Sequence, residues 1–203
     1  RLGIPENRIV DVRLGGHVSP LAKDSERTTE VLILCSIGDP ERLRAALQQQ
    51  LPASVFKLFD FVAETWSARL DLGVHDAFDR VLSELNIELP PSERLNLEFI
   101  VTSNVDRYIR NRERLRIVRA LSDLPARILG DGWPELVDGH SRLTFSPQLS
   151  FSQAHEEICR AQILINVQPI AVHTAYERSL GALLNGALLV TTENRFLSSN
   201  FIE

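Results

Sequence analysis

The stretch EVLILCS at residues 30–36 is short and almost entirely apolar. A turn-forming sequence, SIGDP at 36–40, follows directly from its last residue. Leucine, isoleucine and valine in an unbroken run predict a strand that is buried on both faces, as in a parallel sheet. Four further runs have this character: ARILG at 126–130, RLTFS at 142–146, QILINV at 162–167 and ALLVTT at 187–192. Helical patterns separate the runs, and this alternation predicts an α/β fold with helices on both faces of a parallel sheet of about five strands.

The interval between the first and second predicted strands does not alternate. Five stretches in it carry apolar residues at helical spacing: PERLRAALQQQL, SVFKLFDFVAETWSARL, HDAFDRVLSEL, PSERLNLEFIV and NVDRYIRNRERLRIVRAL. We therefore predict a helical insertion at about 40–104, in which residues 53–90 form helices and add no strand to the sheet. Its predicted core residues are Phe56, Phe59, Phe78, Val81 and Leu82. Residues 1–29 are expected to be an incoming connection or edge segment, and 30–203 a Rossmann-like domain.

The composition excludes several classes of protein. The chain has 203 residues, 44% of them hydrophobic, and a formal charge of -5, which weighs against a nucleic-acid partner. No apolar run reaches the roughly 20 residues needed to span a bilayer. Cys35 and Cys159 lie in apolar runs typical of buried thiols in a reducing compartment, and neither suggests a metal site. Without a signal-peptide pattern, the expected location is cytoplasmic. Because the chain begins with Arg1 and contains no Met, we expect a piece of a longer protein.

A ligand site is expected where the strands end. Open parallel sheets bind ligands beyond the carboxyl ends of their strands, where the strand order reverses. If the first and fourth strands are adjacent, Gly38 and Asn166 lie on opposite lips of one crevice. Gly38, Gly130 and Gly132 either let a phosphate or sugar approach the backbone or serve as ordinary turn residues. Trp133 either packs in the core beneath a following helix or forms the wall of a sugar or base site.

The densest basic segment of the chain lies at 107–119, with six arginines. Such a segment is suited to binding phosphate. However, Leu115, Val118 and Leu121 form an apolar stripe through it, and acidic residues interleave with the arginines. We therefore expect a solvated helix face, from which one or two arginines at most reach a ligand.

Two adjacent charges, Glu177 and Arg178, open the last long helical pattern. Thr174 and Glu177 have the spacing of a capping box, in which each side chain accepts a hydrogen bond from the other residue's backbone N–H. Alternatively, His173, Glu177 and Gly181 lie four apart on one helix face, where the missing glycine side chain leaves room for a polar ligand. The residue pattern leaves both interpretations open.

Four segments together resemble a known family: NRERLRIVRAL (111–121), ARILGDGW (126–133), AQILINVQP (161–169) and YERSLGALLNGALLVTTENRFLSSNF (176–201). They are similar to the C-terminal half of GT-B type glycosyltransferases, in particular the bacterial group related to spore-maturation glycosyltransferases. The resemblance covers roughly residues 104–203. It implies a Rossmann-like domain that binds a nucleotide-sugar donor and, with the catalytic base on another domain, transfers the sugar to an unknown acceptor.

The resemblance places the donor on five residues: Gly130, Gly132, Trp133, Glu177 and Arg178. To these the predicted crevice adds Gly38 and Asn166, and the polar helix face adds His173. The resemblance implies neither a metal nor a cofactor, and Arg178 would neutralise the diphosphate. Two glutamates that many retaining members carry correspond here to His173 and Gly181. No catalytic residue is therefore assigned, and two alternatives remain: a non-catalytic nucleotide-sugar-binding module, or a scaffold that works through its helical insert.

Overall fold

The computed structural model describes residues 18–20, 26–69, 71–121, 123–137, 142–169, 175–192 and 195–201. Its elements, in chain order, are β1 (Thr29–Leu34), α1 (Pro40–Gln50), α2 (Ala53–Ala68), α3 (Val74–Glu84), α4 (Pro91–Ala120), β2 (Ala126–Leu129), β3 (Leu143–Ser146), α5 (Phe151–Arg160), β4 (Ala161–Asn166), α6 (Glu177–Leu184), β5 (Leu188–Thr191) and α7 (Arg195–Phe201). Each predicted strand run overlaps one observed strand.

The five strands form one parallel sheet in the order β3-β2-β1-β4-β5. The central strand β1 pairs with β2 on one side and with β4 on the other, so that Val31 lies opposite both Ala126 and Ile163. The α/β fold and the predicted adjacency of the first and fourth strands are both confirmed. The strand order reverses between β1 and β4, which is where parallel sheets of this type bind ligands.

Side chains of β1 alternate between two cores, one on each face of the sheet. Val31 and Ile33 pack in a cluster with Leu115 and Val118 of α4. Leu32 and Leu34 pack on the opposite face, in a cluster that includes residues of α5 and α6. Helices therefore cover both faces, and the uninterrupted apolar character of the run at 30–36 follows from this double burial.

The insert is helical, as predicted, and has a core of its own. Four of its five predicted core residues are buried, and Phe56 packs against them while partly exposed. The sequence interpretation missed Trp66, which is fully buried at the centre of this cluster and donates a hydrogen bond from its indole nitrogen to the Leu72 carbonyl at 3.0 Å.

Helix α4 joins the insert to the sheet. It runs unbroken for 30 residues, and the boundary expected at residue 104 falls inside it. Val101 and Val105 pack in the core of the insert, whereas Leu115 and Val118 pack against the sheet. Despite its length, α4 is too polar to cross a membrane, and none of the other described helices meets the requirements for doing so.

We expect Gly132→Ala to destabilise the protein strongly. Gly132 has a φ of +88°, and a Cβ at this position would lie 2.2 Å from the Ile37 carbonyl oxygen. The substitution combines backbone strain of about 1–3 kcal/mol with a steric overlap that only a shift of the backbone can relieve. Urea denaturation measures the change in the free energy of unfolding.

Gly181→Ala is the matched control. It lies within α6, and its Cβ would make an ordinary contact with the His155 ring at 3.4 Å. Alanine within a helix is favoured over glycine by roughly 0.5–1 kcal/mol, so this variant should be at least as stable as the parent. Equal effects of the two substitutions would contradict the close approach of the loops at Gly132.

Candidate functional site

A cavity of about 270 Å³ opens at the carboxyl edge of the sheet. Its floor is formed by the end of β1, including the Cys35 thiol, and by Leu129 of β2. Two arginines from different helices complete the wall, Arg114 from α4 and Arg178 from α6. The cavity therefore lies at the strand ends, where the fold predicts a ligand site, and its charged lining is cationic.

Arg178 is the second residue of α6, and its side chain reaches the end of β1. There Nη1 donates a hydrogen bond to the Leu34 carbonyl. The side chain is half-buried, and no carboxylate of the described residues forms an ion pair with it. The guanidinium is thus held in place through a neutral carbonyl, and no carboxylate of the described residues neutralises its positive charge.

Arg114 approaches the same strand end from α4. Its Nη1 donates to the Ser36 carbonyl at 2.9 Å, while its Nε is buried with no hydrogen-bond partner among the described residues. Burial lowers the pKa of Arg114, and the neighbouring charges of Arg110 and Arg178 lower it further. A bound anion would reverse part of this cost, because it would offset the repulsion between the guanidinium groups.

Cys35 contributes no charge to the cavity. Burial raises the pKa of its thiol, although Arg114 and Arg178 act in the opposite direction. The thiol is therefore protonated at neutral pH, and the two arginines give the cavity its positive charge.

Asp131 organises the loops around the cavity. Its carbonyl accepts from the Ile37 N–H at 2.9 Å, and its own N–H donates to the Ser36 hydroxyl at 3.1 Å. A longer contact, 3.4 Å, joins its carboxylate to the N–H of Gln148 in the segment after β3. The loops after three neighbouring strands are thereby tied together, a role that the sequence did not reveal.

The two glycines beside Asp131 allow these loops to pack closely. A Cβ on Gly130 would lie 2.2 Å from the Cys35 carbonyl oxygen, and a Cβ on Gly132 would lie as close to that of Ile37. Of the two interpretations of these residues, the structural one is thus supported. Both positions exclude a side chain because another loop is there, which explains the glycines without a ligand.

Trp133 is a core residue. It is fully buried in the cluster beneath the sheet, and its Nε1 donates to the Cys35 carbonyl at 2.7 Å. The core interpretation is confirmed, and the side chain has no surface left for a sugar or base. The helix expected to follow it is a single turn, closed by the Leu136 N–H on the Trp133 carbonyl at 2.9 Å.

The opening of α6 differs from both sequence interpretations. The helix begins at Glu177 with Tyr176 as its N-cap, so a capping box with Thr174 in that place is wrong. His173 and Thr174 themselves lie outside the described residues. Gly181 does not leave an open polar face, because it packs against His155 and Ile158 of α5. Glu177 is half-buried next to Arg178.

The crevice predicted between Gly38 and Asn166 is not a single cavity. Asn166 is buried at the end of β4, where its amide donates to the Ser179 hydroxyl at 2.8 Å and thereby attaches the start of α6 to the strand. Gly38 lines a different cavity, between α1 and α4. The structure thus places Arg178, but not Gly38 or Asn166, at the cationic cavity.

No protein-family model, curated protein or solved structure matches this chain. In the described part of the chain, no three His, Cys, Asp or Glu residues are grouped so that they could hold a metal ion. The charged residues that line the cavity, Arg114 and Arg178, are both cationic, which suits an anion.

Asp106 is a buried acidic residue of α4 that lies one turn before Arg110 and two turns before Arg114. Its Oδ2 forms an ion pair with Arg110 at 3.0 Å, whereas its Oδ1 is buried without a hydrogen-bond partner among the described residues. Burial raises the pKa of this carboxyl above its ordinary value of 3.8, although Arg110 and Arg114 oppose the shift.

This raised pKa predicts a specific pH dependence of stability. The folded state binds the Asp106 proton more tightly than the unfolded state, so the ionised group destabilises the fold and protonation relieves that cost. As the pH falls from about 7 to about 4, the wild type should gain stability relative to Asp106→Asn, by at most about 1.4 kcal/mol per pH unit. Urea denaturation of both proteins measures this difference, and a difference independent of pH would contradict the prediction.

Proposed function

We propose that this chain is the donor-binding portion of a glycosyltransferase, which transfers a sugar from a nucleotide-diphosphate sugar to an acceptor. The observation that carries the proposal is the pair of half-buried guanidinium groups of Arg114 and Arg178, which line one cavity and form no ion pair with a carboxylate of the described chain. Arginine presents a planar fork of donors that matches phosphate oxygens, and a diphosphate supplies the negative charge that the pair lacks.

The position of the cavity supports the same ligand class. It opens at the carboxyl ends of parallel strands, beside the reversal of strand order between β1 and β4, where this type of fold binds nucleotides. The resemblance of residues 104–203 to donor-binding domains supports this assignment independently of the geometry, since it rests on sequence segments.

The proposed reaction needs stabilisation of a leaving group. An acceptor oxygen attacks the anomeric carbon, the bond from that carbon to the diphosphate oxygen breaks, and its electron pair leaves with the nucleoside diphosphate. The acceptor proton passes to a base, for which we assign no residue. Arg114 and Arg178 would stabilise the negative charge that develops on the diphosphate. Glu177, beside Arg178, would accept hydrogen bonds from donor hydroxyl groups.

A second candidate function is that of a scaffold, favoured by exposed apolar side chains on the insert. Leu95 and Phe99 lie one turn apart on α4 and are 54% and 72% exposed, and Leu85 and Ile87 are also exposed after α3. A protein that acts only through this surface should bind no nucleotide. A non-catalytic binding module, by contrast, should bind donor but transfer no sugar in the full-length protein.

The arginine pair predicts a loss of donor affinity on substitution. A thermal-shift screen against UDP-, GDP-, ADP- and dTDP-sugars identifies the donor, because a ligand of the native state raises the melting temperature. Arg114→Ala and Arg178→Ala should then each weaken binding of that donor by about 1.5–3 kcal/mol, roughly tenfold to more than a hundredfold. Isothermal titration measures the dissociation constants of the variants.

Arg116→Ala is the matched control for the arginine pair. Arg116 lies on the same helix as Arg114, but its side chain is 70% exposed and is paired with Glu113 at 2.8 Å. Its loss should leave donor affinity within about twofold, because Arg116 does not line the cationic cavity. If all three variants bind donor equally well, or if no donor binds the parent protein, the cavity is not a donor site.

Glu177→Gln tests sugar recognition separately. The substitution keeps the size of the side chain but removes its charge, which weakens hydrogen bonds accepted from sugar hydroxyls. We expect affinity for the nucleotide sugar to fall severalfold, while affinity for the corresponding nucleoside diphosphate stays unchanged. Competition titrations of the two ligands give the ratio. An equal effect on both ligands would contradict a contact between Glu177 and the sugar.

A further inference from the structure

A second cavity, of about 490 Å³, lies between α1 and α4. Like the cationic cavity, it adjoins the loops after β1 and β2, with Gly38 and Gly132 in its wall. The hydrogen bonds that Asp131 makes to Ser36 and Ile37 join these loops between the two cavities. The two cavities have no lining residue in common, so a ligand here would not contact Arg114 or Arg178.

Asn111 lines this second cavity. Asn111 is only 6% exposed, and in the described part of the chain its side chain makes no hydrogen bond. Other asparagines use their amides: that of Asn104, on the same helix, donates to the Ile100 carbonyl at 2.8 Å. An amide that pairs with no group of the described residues can pair with a ligand that carries a matching donor and acceptor.

Gly38 leaves space beside this amide. A Cβ at residue 38 would lie 3.3 Å from Asn111 Nδ2, which is close enough to displace it by a few tenths of an ångström. The glycine conformation is not left-handed, so backbone strain does not explain the residue. Because residue 38 has no side chain, the Asn111 amide next to it is accessible from the cavity.

Charge at this cavity is balanced, in contrast to the cationic one. The Asp39 carboxylate accepts hydrogen bonds from the first turn of α1, at 2.9 Å from the Glu41 N–H. Arg42 pairs with Asp39 at 3.4 Å and approaches Glu135 at 3.8 Å. With the start of the helix already capped by a carboxylate, the site does not favour an anion.

The remaining wall is suited to a flat, uncharged ring. Leu43 and Ala46 of α1 and Leu136 of the turn after β2 supply apolar surface. Arg107, exposed at the rim, carries a planar guanidinium of the kind that stacks on aromatic rings. The cavity is also within the usual size range of small-molecule sites.

We propose that this cavity binds an uncharged heterocycle with an adjacent hydrogen-bond donor and acceptor, the chemistry of a nucleobase, through the amide of Asn111. An asparagine amide presents a donor and an acceptor side by side and pairs with such an edge through two hydrogen bonds. The proposal is independent of the glycosyltransferase proposal, because it involves neither arginine of the cationic cavity and requires no phosphate on the ligand.

Titration with adenosine, guanosine, cytidine and uridine tests the site, with ribose as the control ligand. At least one nucleoside should bind measurably better than ribose. Asn111→Leu should reduce its affinity about tenfold or more, as expected for loss of two hydrogen bonds. Gly38→Ala, which keeps the amide but displaces it, should reduce affinity severalfold and provides the test if Asn111→Leu does not fold. Arg178→Ala should leave nucleoside affinity within about twofold.

Three outcomes would overturn the proposal: no nucleoside binds, ribose binds as well as the nucleosides, or folded Asn111 and Gly38 variants bind like the parent. Inorganic pyrophosphate separates this result from the function proposed above. Its binding should depend on Arg178 and not on Asn111. If the parent protein binds a nucleoside but no pyrophosphate, the result counts against the donor site alone. If it binds pyrophosphate but no nucleoside, the result counts against the base site alone.

Discussion

Three consecutive carbonyl groups at the end of β1 hold together the elements at the carboxyl edge of the sheet. The carbonyl of Leu34 accepts from Arg178, that of Cys35 from the Trp133 indole, and that of Ser36 from Arg114. These donors come from α6, from the loop after β2 and from α4. A buried donor group needs a hydrogen-bond partner, and the three carbonyls supply one to each side chain. Through these contacts α6, the loop after β2 and α4 are positioned against the central strand.

This arrangement explains how two arginines can be ordered without losing their charge. A hydrogen bond to a carbonyl orients a guanidinium but leaves its positive charge intact, whereas a carboxylate would neutralise it. Partial burial, with smaller contributions from the charges of Arg110 and Arg178, lowers the pKa of Arg114, so this arrangement disfavours its charged form. The cost of this arrangement is what a diphosphate would relieve on binding.

Helix α4 determines which side chains reach which cavity. Asn111 and Arg114 are three residues apart on this one helix, yet they line different cavities, because the joined loops around Asp131 lie between the cavities. The two cavities differ in net charge because of the carboxylates next to each. Asp39 and Glu135 balance Arg42 at one site, while no carboxylate in the described residues pairs with the arginines of the other.

The sequence by itself determined the parallel sheet and the helical character of the insert, because apolar periodicity reports directly which residues are buried. It also indicated Arg178, as one of two adjacent charges that open a helical pattern. Only the tertiary structure decided which cavities Arg114 and Asn111 line. Neighbouring positions in 107–119 fit one helix equally well, and their surroundings depend on how α4 crosses the end of β1. The same holds for Gly132 and Trp133, whose partners are carbonyls nearly 100 positions away in sequence. Contacts between distant loops leave no periodic signal in the chain.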